Sequence, residues 1–188
     1  MVNPAISNLV IMLGLTQLSK KIPFEDENVL NIARGIYILS NVIIFGLYLY
    51  TKSIINKKND LTTLKYVQPA NAFQQQEEKL VTTTIKEYDL QQVQSAIRSV
   101  FSGMAMVAFM HIYMKYTNPL VIQAILPLKS AFEQNIVKIH VFGKPAIGDL
   151  KRPFKTASLF GAAQGEAKVD KKAVSAAETA GASGVKED

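Results

Sequence analysis

The run Met104-Ala105-Met106-Val107-Ala108-Phe109-Met110 presents no polar side chain on any face. It sits inside residues 99–132, where two apolar runs, 100–113 and 120–128, are split by the elbow Lys115-Tyr116-Thr117-Asn118-Pro119. A helix that is apolar all round is either deeply buried or in lipid. What decides between them is how the remaining apolar residues are spread. They are clumped into residues 4–18, 29–50, 97–116 and 119–132, while 51–96 and 133–188 read as soluble. Such blockiness marks a small membrane protein, even though the overall hydrophobic content of 48% is ordinary for a globular chain.

The expected fold class is an all-α integral membrane protein with about three to four transmembrane or partly inserted helices, a small cytosolic β-hairpin-like insertion and a disordered C-terminal tail. Five segments follow. Residues 1–50 hold a short apolar helix and the first full span, and 51–96 form a polar cytosolic loop with a possible hairpin and the start of a stalk helix. Residues 97–132 hold a second full span, the elbow and a short re-entrant or thinned-membrane helix, 133–160 are a basic cytosolic segment, and 161–188 are the tail.

Length separates the apolar blocks. Residues 29–50 give 22 residues, about 33 Å of helix, enough to cross a hydrocarbon core of about 30 Å. Residues 4–18 give only about 22 Å, so this run either tilts in thinned membrane, enters partway, or lies at the interface. It lacks a basic leader and a small-residue cleavage site, and is expected to be retained. Residues 120–132 span about 20 Å and carry Gln123 and Pro127, the length class of re-entrant or broken helices. Asp89 followed by Gln92 resembles a capping box, and the apolar periodicity from Leu90 predicts one helix to Tyr116, about 40 Å long, whose first turns project as a stalk. Asn118 and Pro119 end it.

Between the spans, Leu61-Thr62-Thr63-Leu64-Lys65-Tyr66-Val67 and Leu80-Val81-Thr82-Thr83-Thr84-Ile85 alternate like two strands, a hairpin that needs a partner surface. Residues 136–142 read as a short apolar strand-like piece. The tail from Gly161 has almost no large apolar residue and is expected to be disordered.

Charge suggests orientation. If residues 51–98 and everything after Leu128 face the cytosol, that side holds all 21 Lys/Arg except Lys20, Lys21, Arg34 and Lys115, as the positive-inside rule requires. Lys20 and Lys21 dissent, since after a first crossing they would favour an outside N-terminus. Lys52, Lys57 and Lys58 form the strongest orienting cluster, and Lys138, Lys144, Lys151, Arg152 and Lys155 outnumber Glu133 and Asp149 in residues 133–160. With Arg98 at the membrane entry of the stalk, these cations are candidate contacts for ribosomal RNA, anionic lipid or partner proteins. Ordinary headgroup anchoring explains them equally well.

Catalytic equipment is sparse. There is no cysteine, no phosphate-binding glycine loop, and the histidines are His111 and His140. The chain reads as a non-enzyme without metal or cofactor. His111 suits a proton relay or an interhelical hydrogen bond. Arg34 lies little more than a turn inside the first span and can snorkel. The collective inference is stronger: short or broken elements flank longer spans carrying Asn41, Ser99, Ser102 and His111, with Gln123 on the return. Converging, they would wet a groove, thin the bilayer and lower the cost of moving a polar segment across.

Two motifs carry a resemblance. The first runs Gly103-Met104-Ala105-Met106 through His111 to Lys115-Tyr116-Thr117-Asn118-Pro119-Leu120. The second runs Val137-Lys138-Ile139-His140-Val141-Phe142-Gly143-Lys144-Pro145-Ala146, then Gly148-Asp149-Leu150-Lys151-Arg152-Pro153-Phe154-Lys155 and Ser158-Leu159-Phe160-Gly161. With Asn59-Asp60, Lys65-Tyr66-Val67 and Glu87-Tyr88-Asp89-Leu90, these resemble the small fungal family of component three of the SRP-independent (SND) targeting pathway, also labelled inorganic phosphate transport protein. The resemblance implies a multi-pass endoplasmic-reticulum membrane protein with a cytosolic tail. It also implies a role in targeting and inserting client membrane proteins beside the Sec61 translocon and other targeting components, and a link to phosphate uptake; contact with the ribosome rests on the basic residues alone. A transporter using Arg34, Arg98 or His111 as anion ligands, or a passive scaffold for other subunits, are the competing readings. Few helices and no internal repeat leave little material for alternating access.

Overall fold

The computed structural model describes residues 4–68 and 79–154. In chain order these form α1 (Pro4–Ser19), α2 (Glu27–Lys58), β1 (Thr63–Gln68), β2 (Lys79–Thr84), α3 (Ile85–Ala108), a π-helical turn (Phe109–Tyr113), α4 (Pro119–Glu133), α5 (Asn135–His140) and a 3-10 turn (Gly148–Leu150). The described residues fall into two compact units, one of 4–58 and 89–144, the other of 59–68, 79–88 and 145–154. The hairpin tip, Lys155 and the tail from Gly161 lie outside the described residues.

The first unit is helical and built on α2. Ser40, Ile44, Tyr48, Thr51 and Ile55 recur at spacings of three or four along this 32-residue helix and are all buried, as is Asn41. α4 packs along α2, α1 packs on α4, and α5 closes against both α2 and α4. The buried residues of α4 are Leu120, Ala124 and Ala131, a stripe with small side chains that lets helix backbones approach. α3 and the π turn after it meet α2 through long side chains: the Phe45 and Phe101 rings pack tilted at 52° with centroids 4.8 Å apart, and Arg34 reaches His111 of the π turn. Going up α2 from 34 to 45 goes down from 111 in the π turn to 101 in α3, so the two helices run antiparallel.

Two helices, α2 and Ile85–Tyr113, are long and apolar enough to cross a bilayer, while α1 is a shorter apolar helix. Only 22% of the apolar window of α2 and 11% of that of Ile85–Tyr113 is buried within the protein. Ile36, Leu39, Val42, Phe101, Met106 and Phe109 are among the large apolar side chains left outside. So many exposed large apolar side chains along two long helices are consistent with a membrane protein.

Three expectations need correction. The strand-like piece at 136–142 is instead the helix α5. Its Ile136, Val137 and Ile139 are buried at helical spacing against α2 and α4, and that packing outweighs the β preference of branched residues. Gly143, at φ +65°, then turns the chain so that the Lys144 N–H reaches the Lys138 carbonyl at 3.0 Å.

The second correction concerns the start of α3, which is not capped by Asp89 and Gln92. α3 begins at Ile85, directly after β2. Thr84 Oγ1 accepts from the Glu87 N–H at 3.2 Å, and Glu87 Oε2 accepts from the Thr84 N–H at 3.5 Å, the reciprocal bonds of a capping box. The third concerns its end. α-helical geometry stops at Ala108 and widens into the π turn, after which Tyr116 N–H bonds the Met110 carbonyl at 2.9 Å and Lys115 sits at φ +54°. Pro119 opens α4 at its first turn, where its missing N–H costs nothing.

The second unit contains the expected hairpin, antiparallel from Thr63↔Thr84 to Gln68↔Lys79. Its partner surface is aromatic. The Tyr66 ring lies edge-on to Tyr88 at 5.8 Å, Tyr88 to Phe154 at 5.5 Å, and the Tyr88 hydroxyl accepts from the Phe154 N–H at 2.7 Å. Burial pushes the Tyr66 phenol above its ordinary pKa. Asp60 caps the approach to β1, accepting from the Thr62 hydroxyl at 2.6 Å and the Thr62 N–H at 3.0 Å. These bonds, helped by the charge of Arg152, hold its carboxyl below the ordinary value. A depressed carboxyl adds stability that is present above the unfolded pKa and lost as pH falls through the folded one. An NMR titration of the Thr62 amide should therefore show a midpoint below that of an unstructured aspartate. A midpoint at or above that value contradicts the arrangement.

Candidate functional site

Polar groups of the helical unit gather at three places. At the first, between α2 and the π turn, Arg34 Nε donates to His111 Nε2 at 3.0 Å and Arg34 Nη1 donates to Asn31 Oδ1 at 3.1 Å. Because Nε2 accepts, the hydrogen-bond pattern assigns a neutral ring with its proton on Nδ1, which is buried without a partner. His111 stands in the middle of a π turn, a local widening that is often found where a side chain must be re-aimed.

At the second, the two short helices are joined: Lys129 Nζ on α4 donates to Asn8 Oδ1 on α1 at 2.8 Å and to Glu133 Oε2 at 2.7 Å. The third is fully interior. His140 Nε2 and Asp89 Oδ2 lie 2.7 Å apart, their side chains 5% and 1% exposed, tying the end of α5 to α3.

Of the residues singled out as a groove, Asn41 is buried and spends its Nδ2 on the Tyr37 carbonyl of its own helix at 2.8 Å. Ser99 and Ser102 are exposed on α3, Gln123 is half-buried on α4, and His111 is held by Arg34. No two of these five hydrogen-bond one another among the described residues. Asn118 and Pro119 form the turn into α4. Among the basic candidates, Lys52, Lys57, Lys58, Arg98 and Lys144 are exposed and Lys138 half-buried, all in the helical unit. Lys151 is exposed in the other unit, where Arg152 lies over the Phe154 ring at 5.9 Å.

Sequence reasoning missed both the Lys129 tie and the Asp89–His140 pair. The latter left a signal. Asp89, Val93 and Ala96 are buried at spacings of four and three, so Asp89 falls on the apolar face of α3. His140 likewise follows Ile136 by one helical turn.

Chemically the arrangement is poor in catalytic groups. Among the described residues no three His, Asp or Glu side chains come together to hold a metal, and the Asp89–His140 pair is sealed from solvent. What the helices do offer is hydrogen-bonding capacity within apolar surroundings, at Arg34 and His111 beside the long helices and at Asn8 and Lys129 between the short ones.

The family model described as Phosphate transport (Pho88) matches residues 2–185. The chain belongs to the Pho88 family. Among family relatives, the SRP-independent targeting protein 3 of Saccharomyces cerevisiae is 52% identical over 185 residues, covering 98% of each chain. The SRP-independent targeting protein 3 homolog of Schizosaccharomyces pombe is 38% identical over 177 residues, covering 94% of this chain and 91% of its own. An uncharacterized Schizosaccharomyces pombe protein is 52% identical over 161 residues, covering 85% of this chain and 80% of its own. No solved structure matches the chain. The names of two of these relatives indicate SRP-independent targeting, as the family resemblance implied.

Proposed function

We propose that the protein is a non-enzymatic, multi-pass endoplasmic-reticulum membrane protein that assists SRP-independent targeting and insertion of client membrane proteins next to the Sec61 translocon. The observation that carries this reading is unequal helix length within one packed unit. α2 and Ile85–Tyr113 have 32 and 29 residues, whereas α1 and α4 have 16 and 15. The short pair reaches about 22–24 Å against a core of about 30 Å. It carries Asn8, Lys129 and Glu133 at its junction. A bilayer adapting to such elements thins and admits water, and the cost of passing a polar segment falls with depth and water access. Names of the relatives add the targeting role.

Liposomes holding the purified full-length chain should protect more of a released membrane-protein client from protease than empty liposomes do. Equal protection removes insertion and leaves a scaffold. The exposed lysines are the proposed ribosome contacts. Exchanging Lys52, Lys57, Lys58 and Lys144 for glutamine should weaken ribosome co-sedimentation and flatten its salt dependence by about 0.7–0.9 in log–log slope for each lysine–phosphate pairing removed. An unchanged slope makes them headgroup anchors.

A second reading, phosphate transport or maturation of a phosphate transporter, is favoured by the family description and by a cation, Arg34, that has no acidic partner among the described residues. Proteoliposomes that move no phosphate reject the direct form of it.

A further inference from the structure

The Arg34 cluster is not used by the insertion reading and calls for its own explanation. Arg34 lies seven residues into α2, about 10 Å along the helix from its start at Glu27. An arginine at that depth normally finds a carboxylate, a backbone carbonyl or water. Here its two protein partners, the neutral His111 ring and the Asn31 amide oxygen, carry no negative charge. No carboxylate comes within ion-pair distance of it among the described residues. The guanidinium has five N–H donors, of which these bonds take two. The residue is exposed, so the remaining donors are open to the surroundings of the helices.

Two ties on one planar group also fix its orientation. Asn31 holds it from one turn earlier on α2, and His111 from the π turn across the helix pair. The result is a fixed, net positive, donor-only site that an arginine side chain can present at the boundary of the apolar core. The complementary ligand is an oxyanion with several acceptor oxygens, for which the guanidinium fork is suited. In the membrane setting proposed above, on which this inference rests, an oxyanion abundant near the start of a span is a lipid phosphate.

We propose that Arg34, oriented by His111 and Asn31, forms a binding site for a phosphate group, that of an anionic glycerophospholipid headgroup. The chemistry is shared with free phosphate, and the experiment separates the two.

The full-length chain in detergent is titrated with phosphatidylinositol, with diacylglycerol bearing the same tails, and with inorganic phosphate, and bound species are read by native mass spectrometry. Phosphatidylinositol should bind and diacylglycerol should not. Arg34→Gln should weaken phosphatidylinositol at least about tenfold, the scale of one charge-assisted hydrogen bond. Arg34→Lys keeps the charge without the fork and should fall between the two. His111→Phe removes the orienting acceptor and should also weaken binding, with His111→Gln, which restores an acceptor oxygen, recovering part of it. Inorganic phosphate that displaces the lipid from the wild type and fails to bind Arg34→Gln would move the source to the free anion while keeping the site. Equal phosphatidylinositol binding by wild type and Arg34→Gln, with both eluting as the same folded species, overturns the proposal. So does diacylglycerol binding as well as phosphatidylinositol.

Discussion

Asp89→Ala should destabilise the full-length protein more than any surface substitution, by about 3–5 kcal/mol, the usual cost of removing one partner from a buried pair, read as a lowered thermal unfolding midpoint. Asp89 has no exposed surface and lies 2.7 Å from a ring nitrogen of His140, itself almost completely covered. Removing the carboxyl leaves a cavity and a polar ring atom that must find a new partner in an apolar setting. Asp89→Asn keeps volume and an acceptor oxygen, so its loss should be clearly smaller. Because the pair joins α3 to α5, the Ala variant should also expose the α5 backbone to hydrogen exchange before global unfolding. Equal midpoints for wild type and Asp89→Ala would show that the pair contributes nothing net.

Ala124→Leu should be the second most damaging change. Ala124 is 1% exposed on the face of α4 that also carries Leu120 and Ala131, and α2 is the main neighbour of α4. Added branched carbons cannot be taken up without moving one helix or forcing side chains off their preferred rotamers, at about 1–3 kcal/mol. The functional loss should exceed the loss of stability. α4 brings Lys129 to Asn8 on α1, so displacing α4 from α2 disturbs the junction of the two short helices on which client insertion is proposed to depend. Ile125→Leu, one residue along and more exposed, is the control and should be silent in both unfolding and proteoliposome insertion. A variant Ala124→Leu with a wild-type melting point would deny close packing at that position.

Features set by local chemistry are legible in the amino-acid sequence itself. The lengths of the apolar runs separate long helices from short ones, because helical rise per residue is fixed. Alternation around Tyr66 and Val81 locates the hairpin, and Asn118-Pro119 places the break before α4. Sequence reasoning falters where one residue has two plausible local roles. Thr84 reads as a strand residue, which hides its second role as the cap of α3. Asp89 reads as that cap, and so its burial goes unnoticed. Ile136, Val137 and Ile139 favour a strand by type and a helix by spacing, and burial on α2 and α4 decides the matter. The ties at Arg34, Lys129 and Asp89 are beyond local reading, because nothing in a neighbourhood of a few residues reveals a partner on another helix.

Those ties span 77, 121 and 51 residues of sequence, and in the first two the earlier member belongs to α1 or α2. During synthesis, Asn8 waits for Lys129 and Arg34 for His111, a delay on the order of ten seconds at about 5–20 residues per second. Throughout that interval Asn8 lacks its Lys129 partner and Arg34 keeps only Asn31 of its own helix. The chain's own biogenesis therefore passes through the kind of incompletely satisfied intermediate that it is proposed to handle in its clients. Synthesis halted before residue 129 would leave Asn8 on α1 without its Lys129 partner, a mark open to any quality-control factor that reads such groups.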